Sequence, residues 1–214
     1  MFTDDQLNQY IKSHTTPEDP ILTQIERDTH QHVLAPRMVS GHIQGAVLQM
    51  LSMMIRPKRI LEIGTFTGYS ALCLARGLDK DGILHTIEID DELEYIYAKY
   101  FAKSPYAQNI RYHIGDAREI MTTLNETFDL VFLDGDKRQY TEYYNILMDN
   151  NLVKSGGYIF ADNVLWSGKV VETVKSSDKQ TLNILEFNDL ILKDERVENV
   201  ILPIRDGMNI IRVK

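Results

Sequence analysis

The 214-residue sequence predicts an α/β fold: a doubly wound, mostly parallel sheet between two helical layers, preceded by extra helices and closed by an antiparallel hairpin. Three observations predict it. From residue 59 onward, short apolar runs alternate with amphipathic segments, the pattern of parallel strands joined by right-handed crossovers. The first apolar run passes into the glycine turn Gly64-Thr65-Phe66-Thr67-Gly68, which opens a helix at a strand's carboxyl end, where doubly wound sheets bind ligands. The last two apolar runs meet across Arg205-Asp206-Gly207, a short Asp-Gly connection that reads as a hairpin.

The first 35 residues read as a helical extension, with polar helices over 4–13 and about 19–32 separated by the breaker His14-Thr15-Thr16-Pro17. A helix over 41–55 spaces Ile43, Val47, Met50, Leu51 and Met54 three and four apart, so this Met-rich stripe is expected in the core, and Pro57 ends it. Strands are expected at 59–63, 82–89, 110–114, 128–133 and 158–161, and helices at 69–77, 92–102 and 140–150. After a helix at about 180–194, strands at 197–203 and 208–213 form the hairpin, completing a three-layer, Rossmann-like arrangement. With no linker, low-complexity segment or internal repeat, 1–214 reads as one domain.

A composition of 43% hydrophobic and 25% charged residues, with 12 Gly and 6 Pro, excludes a disordered or fibrous chain. The formal net charge of −8 disfavours general attraction to nucleic acid or anionic lipid. Arg56, Lys58 and Arg59 form a local basic cluster that reads as a solvated edge. The single cysteine, Cys73, lies in an apolar stretch and is expected buried and reduced, which points to a cytoplasmic setting. The N-terminal residues lack the basic start and apolar region of a secretory signal. The apolar stretch 46–55 falls short of the ~20 residues of a bilayer span, so no membrane span is expected.

Candidate chemistry gathers at the predicted strand ends. Gly64-x-x-x-Gly68 is not the G-x-G-x-x-G of dinucleotide sites, which argues against an NAD-dependent oxidoreductase, and alone it reads equally as a tight connection. The second strand ends in Glu88, placed to accept ribose hydroxyls, and the third in Gly115-Asp116-Ala117, whose carboxylate and amide can hold an adenine edge. The next two strand ends carry Asp134 and Asp162-Asn163, two carboxylates and a carboxamide. These are hard oxygen ligands suited to Mg²⁺ or Ca²⁺ rather than zinc. Taken singly, each piece reads as a turn, a cap or a strand-end charge.

Lys137, three residues beyond Asp134, returns to the same side if a helical turn begins there, as a candidate general base or simply as an ion-pair partner. His30, His32 and His42 lack a metal-ligand pattern and read as surface or pocket-wall residues. Trp166 either walls an aromatic substrate site or packs a loop.

Together the segments LEIGTFTGYSAL, TIEID, GDA, VFLDGDKRQY, GGYIFADNVLWSGKV and LPIRDGMNI resemble the cation-dependent class I O-methyltransferases, which include catechol and caffeoyl-coenzyme A O-methyltransferases. The resemblance runs from about Pro36 to the C-terminus. It implies S-adenosylmethionine contacts at Glu62, Gly64, Ser70, Glu88, Asp116 and Ala117, with Asp134 near the methionine amine. It further implies a loop carrying Met38 and Ser40 against the cofactor. Metal ligands fall on Asp134, Asp162 and Asn163, for Mg²⁺ or another divalent cation such as Mn²⁺ or Ca²⁺, and the catalytic lysine on Lys137. Gln44 stands where relatives often carry a charged residue.

The function so implied is methyl transfer to a hydroxyl of a substrate with two adjacent oxygens, a small catechol-like or hydroxycinnamoyl compound. Some bacterial members of the family resemble transfer-RNA 5-hydroxyuridine methylases, a second reading that the acidic charge weighs against. A non-catalytic nucleotide-binding regulator is a third reading, although it need not retain Asp134, Lys137, Asp162 and Asn163. A homodimer is the oligomeric state the resemblance implies.

Overall fold

The computed structural model describes residues 5–214. Position 4, included in the first predicted helix, lies outside the described residues, and that helix, α1, spans Asp5–Ser13. The helix α2 (Pro20–His32) starts where Asp19 accepts a hydrogen bond from the Ile21 amide, with Pro20 at its first position. Then follow α3 (Gly41–Ile55), β1 (Arg59–Ile63), α4 (Tyr69–Ala75), β2 (Ile83–Glu88), α5 (Glu94–Lys103) and β3 (Ile110–Ile114). The second half comprises α6 (Ala117–Thr123), β4 (Phe128–Leu133), α7 (Tyr140–Asp149), β5 (Val153–Asp162), α8 (Lys179–Lys193), β6 (Val197–Leu202) and β7 (Met208–Val213).

The seven strands lie in the order β3-β2-β1-β4-β5-β7-β6, with β7 antiparallel to both its neighbours and every other pairing parallel. Alternation along the strands divides the core in two. On one face Leu61, Ile63, Val131 and Leu133 pack with Met121 of α6, Tyr144 of α7 and Phe187 of α8. On the other, Ile60, Leu130 and Phe132 pack with Ile25 of α2, Leu48 of α3, Leu74 of α4 and Tyr97 of α5. Strand order reverses between β1 and β4, so the carboxyl ends of β1, β2, β4 and β5 open on one cleft, the place where doubly wound sheets bind ligands.

The helix α3 corrects the expected core stripe. It buries Gln44, Gly45, Leu48 and Ser52, while Met50, Met53 and Met54 are exposed. Small residues decide the face. A Cβ on Gly45 would lie 2.7 Å from the Tyr69 ring and 2.9 Å from Cys73 Sγ, so the helices α3 and α4 approach too closely for a methionine there. Ser52 Oγ adds a hydrogen bond of 2.7 Å to the Leu74 carbonyl. By length and composition alone, the helical run Pro36–Ile55 is apolar enough to span a bilayer. Its hydrogen-bonded inner face instead seats it as a helix of this α/β core.

Two further departures have local causes. No helix was expected between the third and fourth strands, yet Asp116 caps α6 by accepting from the Arg118 amide at 2.9 Å. The D-x-x-E spacing of Asp116 and Glu119 is the signal for it. The strand β5 begins five residues before the predicted 158, because Gly156, at φ +79°, is absorbed as an irregularity against β4 rather than ending the strand. The basic cluster is spent on structure, with Arg56 paired to Asp79 and Arg59 to Glu126. Cys73 is buried, as expected, and burial pushes its thiol pKa up.

Candidate active site

The glycine turn after β1 is fixed by backbone bonds from the Gly64 and Thr65 amides to the Ile87 carbonyl. Gly64 has φ +102°, and a Cβ there would lie 2.6 Å from the Asp134 carbonyl oxygen, so only glycine lets the ends of β1 and β4 meet. A narrow cleft opens beside this turn, lined by Met38, Ser40, Gly64, Phe66, Ser70 and Asp134 among others. Five of the predicted cofactor residues thus share one cavity wall: Met38, Ser40, Gly64, Ser70 and Asp134.

Glu88, Asp116 and Ala117 lie beyond that wall. Glu88 accepts from the amides of Phe66 at 2.6 Å, Ile89 at 2.9 Å and Asp90 at 3.0 Å. Of the roughly four lone-pair positions of a carboxylate, about one is left, so Glu88 also ties the second strand end to the glycine turn. Asp116 is committed to its cap and to Arg118, whose guanidinium holds the carboxyl below its usual range. What this strand end offers an adenine is therefore its backbone rather than a free carboxylate.

Glu62 is fully buried on β1. Thr86 Oγ1 donates to its Oε2 at 2.5 Å, while Oε1 has no partner. Burial pushes its carboxyl pKa up to about 8, with the Ser70 and Thr86 hydroxyls pulling the other way. A raised carboxyl pKa means that the folded state holds its proton more tightly than the unfolded chain. Its contribution to stability therefore falls as pH rises through the window from about 4.5 to about 8. Glu62→Gln is expected to melt several degrees above wild type at pH 9, with little difference at pH 4.5, and thermal melts at the two pH values check this. Parallel pH profiles would contradict the assignment.

The metal candidates come together at the ends of β4 and β5. Asp134 follows β4 and its Oδ1 accepts from Lys137 Nζ at 2.7 Å, because Lys137 opens a short 3-10 turn (Lys137–Gln139) that Asp136 caps. The amine thus returns to the same side as expected, and at 12% side-chain exposure it is no surface lysine. Burial raises the Asp134 pKa to about 6, with Lys137 pulling it down and Asp162 pushing it up. Asp162 is 4% exposed: its Oδ2 accepts from Gln44 Nε2 at 2.6 Å and its Oδ1 is buried with no partner. Tyr140 Oη donates to the backbone carbonyls of Leu133 and Asp162, pinning the two strand ends together. Asn163 takes the left-handed conformation at φ +57°, which Asn tolerates.

Among the described residues no three His, Cys, Asp or Glu side chains group in metal-holding geometry. The donor set is two carboxylates and a carboxamide, with one buried carboxylate oxygen open, which fits a hard divalent cation. The histidines stay out of it: His30, His32 and His42 bond to the carbonyls of Glu26, Asp28 and Thr16. Trp166 begins a loop turn (Trp166–Val171) at φ +47° and is half-buried, four residues past Asp162. Sequence reasoning missed Arg205, which reaches from the β6–β7 connection to the loop carrying Met38 and Ser40.

A cleft at the carboxyl edge of a mostly parallel sheet, at the point where strand order reverses, places the protein in the class of Rossmann-like α/β proteins. Comparison with known proteins narrows the class. The chain belongs to the O-methyltransferase family, which matches residues 12–214. It is similar to caffeoyl-CoA O-methyltransferase 5 of Nicotiana tabacum, at 32% identity over 97% of this chain and 91% of that one. It is likewise similar to caffeoyl-CoA O-methyltransferase 2 of Eucalyptus globulus, at 33% identity over 97% and 88%. Among solved structures, the O-methyltransferase from Bacillus cereus in complex with SAH superposes with a TM-score of 0.90 at 27% identity, covering 98% of this chain and 97% of that one. TomG from Streptomyces achromogenes, an O-methyltransferase of tomaymycin synthesis in complex with SAM, gives 0.90 at 27% identity over both whole chains. The family resemblance legible in the sequence is borne out, and the protein is an O-methyltransferase.

Proposed function

We propose that the whole chain, as one domain, transfers the methyl group of S-adenosylmethionine to one of two adjacent hydroxyl oxygens of a small catechol-like or hydroxycinnamoyl compound. A divalent cation, Mg²⁺ or a similar ion, is held by Asp134, Asp162 and Asn163. The observation that supports this reading best is the meeting of Asp134 and Asp162 at neighbouring strand ends, where Asp162 helps raise the Asp134 pKa and a buried Asp162 oxygen has no partner. A cation would balance these buried carboxylates, which supports the reading. A bound divalent ion supplies Lewis acidity that lowers the pKa of a substrate hydroxyl, and chelation of two oxygens fixes its orientation.

The protein's own residues do the rest. Gly64, Ser70, Met38 and Ser40 wall the cofactor against the end of β1, Glu62, Glu88 and Ala117 support its binding, and Asp134 faces the cofactor amine. Lys137 Nζ, oriented by Asp134, first gives up its own proton to solvent and then takes the hydroxyl proton; the oxygen bonds to the methyl carbon as the sulfonium carbon–sulfur bond breaks and S-adenosylhomocysteine leaves. The buried, unpaired Cys73 accords with a reducing, cytoplasmic setting.

The test is transfer of labelled methyl from S-adenosylmethionine into caffeoyl-coenzyme A, a free catechol and unmodified transfer RNA, assayed side by side. Label in a vicinal-diol small molecule is expected. Label in RNA alone would overturn the substrate assignment.

We also propose a homodimer formed through the exposed face of α3, where Met50, Met53 and Met54 stand at helical spacing. Met50→Glu/Met54→Glu is expected to halve the mass seen by sedimentation, and a mass unchanged from wild type would remove this face from consideration.

A further inference from the structure

We propose that Arg205 and Gln44 are positioning residues that couple the cofactor-lining loop to Asp162, so that cofactor and cation bind with linked affinities; this rests on the cation and cofactor reading above. Arg205 sits in the β6–β7 connection, at φ +48°, far in sequence from everything it touches. Its Nη1 donates to the Val39 carbonyl at 2.9 Å, to the Ser40 carbonyl and to Gln44 Oε1 at 3.0 Å, and Nη2 reaches the Arg37 carbonyl at 3.4 Å. One guanidinium thus clamps three successive-turn carbonyls of the segment that presents Met38, Val39 and Ser40 to the cleft. Gln44, 1% exposed, passes the contact on, since its Nε2 donates to Asp162 Oδ2 at 2.6 Å.

Only an amide serves both ends of this chain. Its carbonyl accepts from the guanidinium while its NH₂ donates to the carboxylate, and both bonds are charge-assisted. A Glu here would satisfy Arg205 but set a second anion against Asp162, and a Lys would satisfy Asp162 but face the Arg205 cation. Gln44 therefore explains why a charge is absent at this position. The Gln44 bond also fixes which Asp162 oxygen is engaged, leaving Oδ1 as the open one. Seating of the loop on a cofactor and orientation of Asp162 toward a cation are then parts of one hydrogen-bonded unit, and linkage requires the effect to be equal in both directions.

The test is calorimetric titration of the whole protein with S-adenosylhomocysteine, with and without saturating Mn²⁺, paired with Mn²⁺ titration followed by electron paramagnetic resonance, with and without S-adenosylhomocysteine. Wild type is expected to show a coupling factor of about five or more, the same in both directions. Gln44→Met, near in shape but unable to bridge, is expected to bring the factor below about two while each ligand alone still binds. Arg205→Met cuts the chain at its exposed end and is expected to do the same, so a folding defect in the buried variant does not spare the proposal. Wild-type coupling retained in either variant at an unchanged melting temperature, or wild type binding both ligands without coupling, overturns it. If wild type binds neither ligand, the functional reading itself falls, and this inference with it.

Discussion

Asp162→Ala is expected to lower cation-dependent methyl transfer by about 10²–10⁴-fold, the equivalent of the several kcal/mol a Lewis acid contributes, and to leave a residual rate that a chelator no longer changes. The carboxylate sits at the end of β5 with one oxygen on Gln44 and the other open and buried. Its side chain supports nothing else in the fold, because the bond from Tyr140 falls on its backbone carbonyl. Removing it relieves the burial of an unpartnered polar oxygen and leaves the Gln44 amide short of one acceptor, effects of opposite sign and similar size, on the order of 1–3 kcal/mol each. The melting temperature should therefore move by only a few degrees. Activity, chelator response and a thermal melt, measured together, separate a lost ligand from a lost fold. Wild-type turnover with wild-type chelator sensitivity would remove Asp162 from the site.

Lys137→Met is expected to lower kcat by about 10²–10⁴-fold, the usual contribution of a positioned general base, while the KM for S-adenosylmethionine stays within a few-fold of wild type. The informative companion is Lys137→Arg. A guanidinium keeps the positive charge beside Asp134 but cannot give up its proton in the accessible pH range, so it cannot act as a base. Lys137→Arg is expected to be as impaired as Lys137→Met, and pH-rate profiles of all three proteins read this directly. Recovery of wild-type kcat in Lys137→Arg would show that only charge is needed at this position. Lys137→Met also strips Asp134 of its ion-pair partner, which is one of the influences holding its pKa down, so the acidic limb of activity should move toward higher pH in that variant and not in Lys137→Arg.

Most of the sheet was legible because parallel strands buried on both faces read as continuous apolar runs, and a run such as Leu130–Leu133 has no other simple reading. The Asp-Gly connection likewise announced the hairpin, though not that β7 would insert between β5 and β6. That insertion depends on pairing partners more than forty residues apart, which no local pattern encodes. The Met-rich stripe of α3 misled because apolar periodicity says which residues share a face but not which face is covered. Gly45 and Ser52 settled it through a close approach to α4 that only small side chains permit.

The candidate site divided along the same line. Strand ends deliver side chains at fixed places, so Gly64, Asp134 and Asp162 could be placed in one cleft from sequence, and the (i, i+3) return of Lys137 followed from a turn beginning at once. Prior commitments of a side chain could not be read. Asp116 spends its carboxylate on capping α6 and on Arg118, and Glu88 spends most of its lone pairs on amides, because both sit beside backbone groups that need partners. The pairing of Arg205 with Gln44 escaped for a different reason. The two are 161 residues apart and meet only because the terminal hairpin folds back over the loop before α3.

Methyl transfer that requires a divalent cation is tested most simply by the initial rate of labelled methyl transfer from S-adenosylmethionine to a vicinal-diol acceptor after exhaustive chelation, followed by stepwise return of Mg²⁺. The rate is expected to fall by at least about 10²-fold on chelation and to recover saturably with the added ion. A rate that is unchanged by chelation in a protein that binds S-adenosylmethionine would contradict the cation requirement.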